Sequence, residues 1–395
     1  MPTAQQPTPR HKILYFSTEF PPGPGGIGTH IYQVASHLTR LGWRGPVLTL
    51  QDYATPDEIQ AFNRQLPFQV TTLRHWPTAP LEAIYRLNEL ARTARRWRPD
   101  LILATGERAV WLTALLSTME RIPWTAVWHG YTPIANWEKR LARWAYNQAN
   151  ALISVSHYSL KRLHAMDVQA PLEFVIHNGA DPETFFPLSA SQTAVYRQRV
   201  APTASNILLT VGNLHWRKGQ DIVIRALPQI HRQIPNVHYL VVGLPTQQAI
   251  LEDLVNEVGV SEFVHFLGRV EAGELMQAYN ACDIFIMNSR HSRDGQYEGY
   301  GIAAVEAALC AKPAVVSDNS GLTEAIVDGV TGIVVEEDSP DETAAAVLRL
   351  LGDETLRAEM GLQARRRALQ EQTWAACALE FDQVLRQILA SQPPG

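Results

Sequence analysis

The fold is decided by residues 207–219, which read ILLTVGNLHWRKG. The first five residues are apolar or β-branched and form a run that is typical of a strand buried on both faces. Gly212 marks the end of this strand, and a helical pattern begins after Gly219. A strand that passes through a glycine-containing turn into a helix is the unit of parallel sheets covered by helices. The stretch therefore predicts an α/β fold.

The same unit recurs on both sides of this stretch, where apolar runs alternate with segments of helical periodicity. Further strands are predicted at residues 12–17, 46–50, 68–73, 100–104, 125–128, 151–155, 173–176, 239–242, 264–267, 284–287, 314–317 and 332–335. Helices are predicted at residues 28–41, 83–97, 109–119, 137–150, 354–369 and 374–389, and one helix is predicted after each strand from residue 207 onward.

The length of the chain predicts two domains, because 395 residues exceed the size at which one hydrophobic core stops growing. Prolines and small polar residues break the rhythm at 181–205, and we interpret this segment as the interdomain linker. We expect a first domain at 1–185 and a second at 186–370. Two doubly wound parallel sheets predict a ligand crevice at the carboxyl ends of the facing strands.

The composition argues against several classes of protein. Hydrophobic residues make up 46% of the chain and charged residues 18%, which argues against disorder and coiled coil. Cys282, Cys310 and Cys377 lie far apart, which argues against a disulfide framework or a zinc site. No apolar segment has the length of a signal peptide or a membrane span. We expect a cytoplasmic protein, held at most peripherally at the inner face of the membrane.

The net charge of −5 conceals an asymmetry between the two halves. Residues 1–187 carry 18 lysines and arginines against 14 acidic residues, whereas residues 188–395 carry 16 against 25. The basic first half could face an anionic acceptor or a membrane surface, and the alternative is an ordinary solvated surface. We expect no nucleic-acid partner.

The strongest chemical signal is EGYGIAAVE at residues 298–306, in which two glutamates are eight positions apart. Glycines precede a helix and permit a ligand to approach backbone N–H groups. Glu306, two turns into the helix, can accept hydrogen bonds from the two vicinal hydroxyls of a ribose. Taken alone, a helix with two glutamates is more often a solvated surface.

Two adjacent cations stand in the same predicted domain. Arg217 and Lys218 follow the strand that ends at Gly212 and precede a helix N-terminus, where two cations can clamp a diphosphate. An isolated Arg-Lys pair is more often a surface feature, but the glutamates of the same domain favour a ligand site.

A glycine-rich segment near the N-terminus offers a competing interpretation. Residues 23–28, GPGGIG, fit the G-x-G-x-x-G pattern of nicotinamide dehydrogenases, and Asp52 follows a second strand. In that fingerprint the glycines follow the strand at once, whereas residues 18–22 intervene here. Bare N–H groups at this helix N-terminus can still cradle a phosphate, and a glycine-rich surface loop is the alternative.

These segments together resemble the GT-B retaining glycosyltransferases of family 4, also called glycosyl transferases group 1, over nearly the whole chain. The matching segments are 20–28, 129–130, 175–181, 217–219, 266–270, 298–306 and 328–332. The resemblance implies the GT-B fold, in which two Rossmann-like domains face a central cleft. It also implies that the last helix, within 371–395, crosses back to the first domain. Residues 289–297 are similar to the subgroup of phosphatidylinositol mannosyltransferases, which use GDP-mannose.

The resemblance implies a nucleotide-sugar donor site as well. Arg217 and Lys218 hold the donor diphosphate, which the loop of Gly25 and Gly26 approaches from the other domain, and Glu306 holds the ribose. The implied donor-binding residues are Gly25, Gly26, Gly212, Arg217, Lys218, Arg269, Val270, Glu298, Gly299, Tyr300, Gly301, Ile302 and Glu306.

Other residues are implied to contact the base and the transferred sugar. Backbone around Arg269 and Val270 contacts the base, and Glu298 with the backbone after it contacts the sugar. His129, at a predicted strand end, lies near the reacting centre; the catalytic set is His129, Glu298, Arg217 and Lys218. The turn at 319–321, Asn-Ser-Gly, departs from the Gly-Gly of many members.

The implied reaction transfers a hexose from a nucleotide-diphosphate sugar, of the GDP-mannose or UDP-glucose type, to a hydroxyl acceptor with retention. The acceptor, whether glycan, lipid or small molecule, is not specified. Because no Asp-x-Asp motif is present to hold a metal, the leaving charge falls on Arg217, Lys218 and helix N-termini, and no cofactor is expected. Glu298 stabilises the donor sugar, and a nucleophilic role stays open. The alternatives are a GT-B-fold epimerase or phosphorylase, an NAD-dependent oxidoreductase and a catalytically silent nucleotide-sugar-binding protein.

Overall fold

The structure is a computed structural model that describes residues 11–23, 25–50, 54–76, 78–130, 135–292 and 295–391. These residues divide into two compact units, one within Met1–Asn178 and Trp374–Gly395 and the other Gly179–Thr373. Asp52, which the dehydrogenase interpretation needs, lies outside the described residues. No helix in the described ranges is both long and apolar enough to cross a bilayer.

The first unit is built on an eight-stranded parallel sheet. Its strands are β1 (His11–Ser17), β2 (Trp43–Arg44), β3 (Val47–Thr49), β4 (Val70–Thr72), β5 (Leu101–Thr105), β6 (Trp124–Trp128), β7 (Ala151–Ser154) and β8 (Leu172–Val175). Seven strands follow the order β4-β3-β1-β5-β6-β7-β8, and β2 also pairs with β1. The strand order reverses between β1 and β5, which makes their carboxyl ends the topological switch point.

Among the described residues, six helices of this unit precede the passage of the chain to the second unit. They are α1 (Gly26–Arg40), α2 (Pro56–Asn63), α3 (Ala79–Trp97), α4 (Glu107–Glu120), α5 (Asn136–Tyr146) and α6 (His157–His164). Strands β5 and β6 are buried along their whole length, as expected of parallel strands between helix layers.

The second unit contains a six-stranded parallel sheet. Its strands are β9 (Asn206–Val211), β10 (Val237–Val242), β11 (Val264–Gly268), β12 (Ile284–Met287), β13 (Ala314–Ser317) and β14 (Gly332–Val335), in the order β11-β10-β9-β12-β13-β14. This is the strand order of the Rossmann fold, with its switch point between β9 and β12. Its helices are α7 (Ala190–Val200), α8 (Gln220–His231), α9 (Gln248–Val258), α10 (Ala272–Ala281), α11 (Ile302–Leu309), α12 (Leu322–Ala325), α13 (Pro340–Gly352) and α14 (Glu354–Glu371).

The last helix, α15 (Trp374–Ala390), belongs to the first unit and packs against α1. The buried residues Trp374, Phe381 and Leu385 form its apolar face. On its polar side, the indole N–H of Trp43 donates to Asp382 Oδ1 at 2.7 Å. The two segments that connect the units run side by side within the second unit, where the N–H of Ala180 donates to the carbonyl oxygen of Gln372 at 2.9 Å.

The interpretation of residues 181–205 as an interdomain linker is wrong in part. The segment contains α7, which lies in the second unit, and the division between the units falls at 178/179 and 373/374 rather than at 185/186 and 370/371. The hydroxyl of Ser189 caps α7 by accepting from the N–H of Gln192, and the side-chain oxygen of Gln192 accepts from the N–H of Ser189. This capping box is a sequence signal of a helix start, and the neighbouring prolines obscured it.

Most predicted strands begin and end within two residues of the observed strands, because continuous apolar runs mark strands buried on both faces. The prediction missed β2, α2 and α6. Helix α2 also begins with a capping box, formed by Thr55 and Glu58 around Pro56.

Candidate active site

The carboxyl end of β9 leads into a turn that carries two cations. Residues Trp216–Lys218 form one 3-10 turn before α8, and Gly219 joins the two with a φ of 70°. A β-carbon on Gly219 would lie 1.8 Å from the carbonyl oxygen of Asn288, so only glycine fits this junction. Because β9 and β12 flank the switch point of the second sheet, the turn lies where such sheets bind ligands.

Arg217, Lys218 and Glu298 form one cluster, here called the cation cluster. Arg217 Nη1 donates to Glu298 Oε2 at 3.0 Å, and Lys218 Nζ donates to the same oxygen at 2.5 Å. No side chain of the cluster is more than 18% exposed. Burial would raise the pKa of Glu298, but Lys218 and Arg217 lower it to about 2. Two cations around one carboxylate leave a net positive charge, which suits an anionic ligand.

The loop that carries Glu298 is held in place by the turn at 319–321. The N–H of Gly321 donates to the carbonyl oxygen of Glu298 at 2.9 Å. Asn319 Nδ2 donates to Glu337 Oε2 at 2.8 Å, which anchors the start of the turn. The Asn-Ser-Gly turn therefore makes a direct backbone contact with the glutamate of the cation cluster.

Glu306 lies on α11 in a different environment. Its Oε2 accepts from the hydroxyl of Tyr279 at 2.6 Å. Burial raises the pKa of Glu306 to about 7, although the hydrogen bond from Tyr279 acts in the opposite direction. Oε1 has no hydrogen-bond partner among the described residues, so this oxygen can accept from a ligand hydroxyl.

The segment between the two glutamates offers backbone rather than side chains to a ligand. Tyr300 is buried, and its hydroxyl accepts from Gln372 Nε2 at 2.7 Å, so its ring is part of the core. Gly299 and Gly301 flank it, and Ile302 begins α11. Three more predicted donor residues follow strands of the same sheet: Gly212 after β9, and Arg269 and Val270 after the edge strand β11.

His129 lies in the first unit, directly after β6. Its Nε2 is 2.8 Å from Thr105 Oγ1, and its ring centre is 4.7 Å from that of His30. Burial, assisted by His30, lowers the pKa of His129 well below its usual value. His30 Nδ1 is in turn 2.7 Å from Asn178 Oδ1. His129 is therefore held as a neutral polar group at the carboxyl edge of the first sheet.

The predicted phosphate cradle at the start of α1 contains a carboxylate of the chain itself. A β-carbon on Gly25 would lie 2.1 Å from Glu19 Oε2, whereas one on Gly26 would have no atom within 4 Å. Burial raises the pKa of Glu19 to about 7; the amide of Gly28 opposes this rise and Glu107 adds to it. An acidic side chain therefore lines Gly25, while Gly26 is open.

Several residues of these sites were not singled out from the sequence. Tyr279 and His30 lie on helices, but their partners are distant in sequence, and Glu19 lies in the loop between β1 and α1. Arg290 was noted only as part of a long loop, although it is buried among charged groups. A pattern gives the residue type at a position, whereas burial and pairing depend on the tertiary fold.

Two family models match the chain, one in each half. Residues 24–184 match the model described as glycosyltransferase family 4, and residues 192–367 match that of glycosyl transferases group 1. A GDP-mannose-dependent monoacylated alpha-(1-6)-phosphatidylinositol monomannoside mannosyltransferase of Corynebacterium glutamicum is 25% identical over 97% of this chain and 98% of its own length. A GDP-mannose-dependent alpha-(1-6)-phosphatidylinositol monomannoside mannosyltransferase of Mycolicibacterium smegmatis is 33% identical over 58% of this chain and 60% of its own length.

Solved structures share the fold of the whole chain. Anabaena HepE in complex with UDP-glucose has a TM-score of 0.82 at 25% identity, covering 95% of this chain and 100% of that one. Sucrose-phosphate synthase of Thermosynechococcus elongatus has a TM-score of 0.82 at 22% identity, covering 97% and 100%.

Two Rossmann-like units and a cation cluster at a switch point define an enzyme of the GT-B class. The chain belongs to the glycosyl transferases of group 1, and it is a glycosyltransferase.

Proposed function

We propose that this protein is a retaining, metal-independent hexosyltransferase whose second unit binds the nucleotide-sugar donor. The observation that carries the proposal is the cation cluster, in which Arg217 and Lys218 converge on Glu298 at the switch point of a Rossmann-like sheet. Relatives that use GDP-mannose and a fold neighbour that binds UDP-glucose support a donor of this kind.

The donor lies with its diphosphate against Arg217 and Lys218. The diphosphate replaces Glu298, in part or in full, as the anionic partner of these two cations. The ribose hydroxyls donate to the free oxygen of Glu306, and the backbone after β11, at Arg269 and Val270, borders the base. The backbone of 299–302 and the carboxylate of Glu298 contact the hexose. Gly212 lines the strand exit beside the diphosphate.

The chemistry is the departure of a nucleoside diphosphate from the anomeric carbon. The two cations and the N-terminus of α11 stabilise the charge that develops on the leaving oxygen. The acceptor hydroxyl attacks from the same face and gives its proton to the leaving phosphate, so that the configuration is retained. In the first unit, neutral His129 offers a hydrogen-bonding group that suits a sugar, and open Gly26 offers an N–H that suits a phosphate.

The acceptor presents a hydroxyl and belongs to a glycan, a lipid or a small molecule. The exposed surface of α5 favours a cytoplasmic enzyme that contacts the membrane peripherally. Trp137 and Trp144 are exposed on this helix and, seven positions apart, share one face, with Lys139 and Arg140 exposed between them. Aromatic and basic side chains on one amphipathic helix favour an anionic lipid surface.

Calorimetric titration with nucleoside diphosphates tests the donor site. Arg217→Ala and Lys218→Ala should each weaken binding by about 1.5–3 kcal/mol, because each removes a charged hydrogen bond to the diphosphate. Arg225→Ala is the matched control, since Arg225 is exposed on α8 of the same unit. Wild-type affinity in both cluster variants would refute the assignment of the diphosphate to this cluster.

A further inference from the structure

Arg290 carries a buried charge that the donor site does not use. It lies on the loop after β12 and is 4% exposed. Its Nη1 and Nη2 donate to Asp221 Oδ2 at 3.1 and 3.0 Å. Its Nε lies in ion-pair contact with Asp338, without the geometry of a hydrogen bond. The guanidinium carbon is 3.8 Å from the ring centre of Trp216. Two carboxylates and one aromatic face therefore satisfy this cation within the protein.

The partners of Arg290 belong to the segments that carry the cation cluster. Trp216 is the first residue of the 3-10 turn that holds both cations, and Asp221 lies in the first turn of α8, which follows it. The backbone N–H of Arg290 donates to the carbonyl oxygen of Arg217 at 2.8 Å. The side chain and the backbone of one residue thus fix the turn against the loop that leads to Glu298.

Stability is a weak reason for such a network. Moving charged groups out of water costs free energy that offsets much of their mutual attraction, so a buried ion pair often adds little net stability. A network of this kind does fix orientation, because its hydrogen bonds have set directions.

We propose that Arg290 is a positioning residue for the donor diphosphate, an inference that rests on the proposed function of Arg217 and Lys218. Arg290 acts through Trp216 and through the carbonyl of Arg217, which set where the two cations lie. A guanidinium suits this role because it donates two hydrogen bonds in one plane while its face lies on an indole. Lysine keeps the charge but cannot make both contacts at once.

The test compares the affinities of the full-length Arg290→Lys protein for GDP and UDP with those for guanosine and uridine. A displaced turn should weaken binding of the diphosphates about tenfold or more, while nucleoside affinity stays within about twofold, because the ribose and base contacts lie elsewhere. In turnover assays the donor KM should rise more than kcat falls. Diphosphate affinity equal to that of the wild type in a folded Arg290→Lys protein overturns the proposal.

Arg197→Lys is the matched control for a loss of stability alone. Arg197 Nη1 donates to the carbonyl oxygen of Ala281 at 2.7 Å and pairs with Asp283. Asp283 directly precedes β12, at the amino ends of the strands and away from the cation cluster at their carboxyl ends. This variant should leave the ratio of diphosphate to nucleoside affinity unchanged. If Arg290→Lys weakens both ligands in parallel, its role is structural only and the proposal fails.

A second variant keeps the test decisive if Arg290→Lys does not fold. Trp216 is 52% exposed, so Trp216→Leu removes the stacking face at little cost to the core. Diphosphate affinity should fall about threefold with nucleoside affinity unchanged, and no fall counts against the inference. A wild-type protein that binds no nucleoside diphosphate would contradict the proposed function itself, whereas normal binding in the wild type and in both variants contradicts only the role of Arg290.

Discussion

Glu298 and Glu306 belong to one nine-residue motif, yet their surroundings move their pKa values in opposite directions. Two cations hold the pKa of Glu298 at about 2. Glu306 is also buried, but its hydrogen-bond partner is a tyrosine, and its pKa rises to about 7. Glu298 is therefore ionised at every physiological pH, whereas Glu306 titrates near neutrality.

The titration of Glu306 should make nucleotide binding depend on pH. An ionised carboxylate is the better acceptor for ribose hydroxyls, so affinity for a nucleoside diphosphate should rise as the pH rises through 7. Below that pKa the affinity should fall by as much as about tenfold per pH unit. Calorimetry from pH 6 to 8 measures this affinity. The Glu306→Gln variant is the control, because its pH dependence reports the titration of the nucleotide without that of Glu306. Identical pH profiles for the two proteins would contradict a role for the titration of Glu306 in nucleotide binding.

Single residues differed in how far the sequence could predict them. Arg217 and Lys218 were predicted to form a ligand site because they follow a strand exit, and the family resemblance implied that Glu298 belongs to the same site. The carboxylate of Glu19 beside Gly25 was not foreseen, because the five intervening residues carry no pattern that fixes their path. The burial of Arg290 was equally hidden, since arginine is usually exposed.

Among the elements, strands were easier to predict than short helices. The continuous apolar runs of β5, β6 and β12 have no other stable place than the centre of a sheet. Helices α2 and α7 bury little, and their signals lie in capping boxes rather than in an apolar stripe. Their prolines and small polar residues are as typical of loops as of helix starts.

Helix α5 should bind anionic lipid vesicles. Replacing Lys139 and Arg140 by glutamine should weaken binding to phosphatidylglycerol-containing vesicles by roughly 1 kcal/mol per residue, and Trp137→Ser with Trp144→Ser should also weaken it. Cosedimentation measures the bound fraction. Leu362→Ser is the control, since Leu362 is exposed on α14 of the second unit. The lipid surface is refuted if both double variants bind as the wild type does.

In the whole molecule, each unit repeats one topology with its own switch point, between β1 and β5 in the first and between β9 and β12 in the second. Chain length and the alternation of elements were enough to predict two such domains. The position where the chain first passes between them, at 178/179, was not predicted, because it lies in an irregular segment between β8 and α7. The polarity of a segment does not tell which unit it packs on.

Release of nucleotide from a panel of nucleotide sugars, with hydroxyl acceptors and excess EDTA, tests the central claim most directly. We expect the wild-type protein to release GDP or UDP from a hexose donor under these conditions. Lys218→Ala should release it at least about tenfold more slowly, because the leaving diphosphate loses a charged partner. Release from no donor, or equal release by Lys218→Ala, would contradict the account, and complete loss with EDTA that metal restores would contradict its metal-independent mechanism.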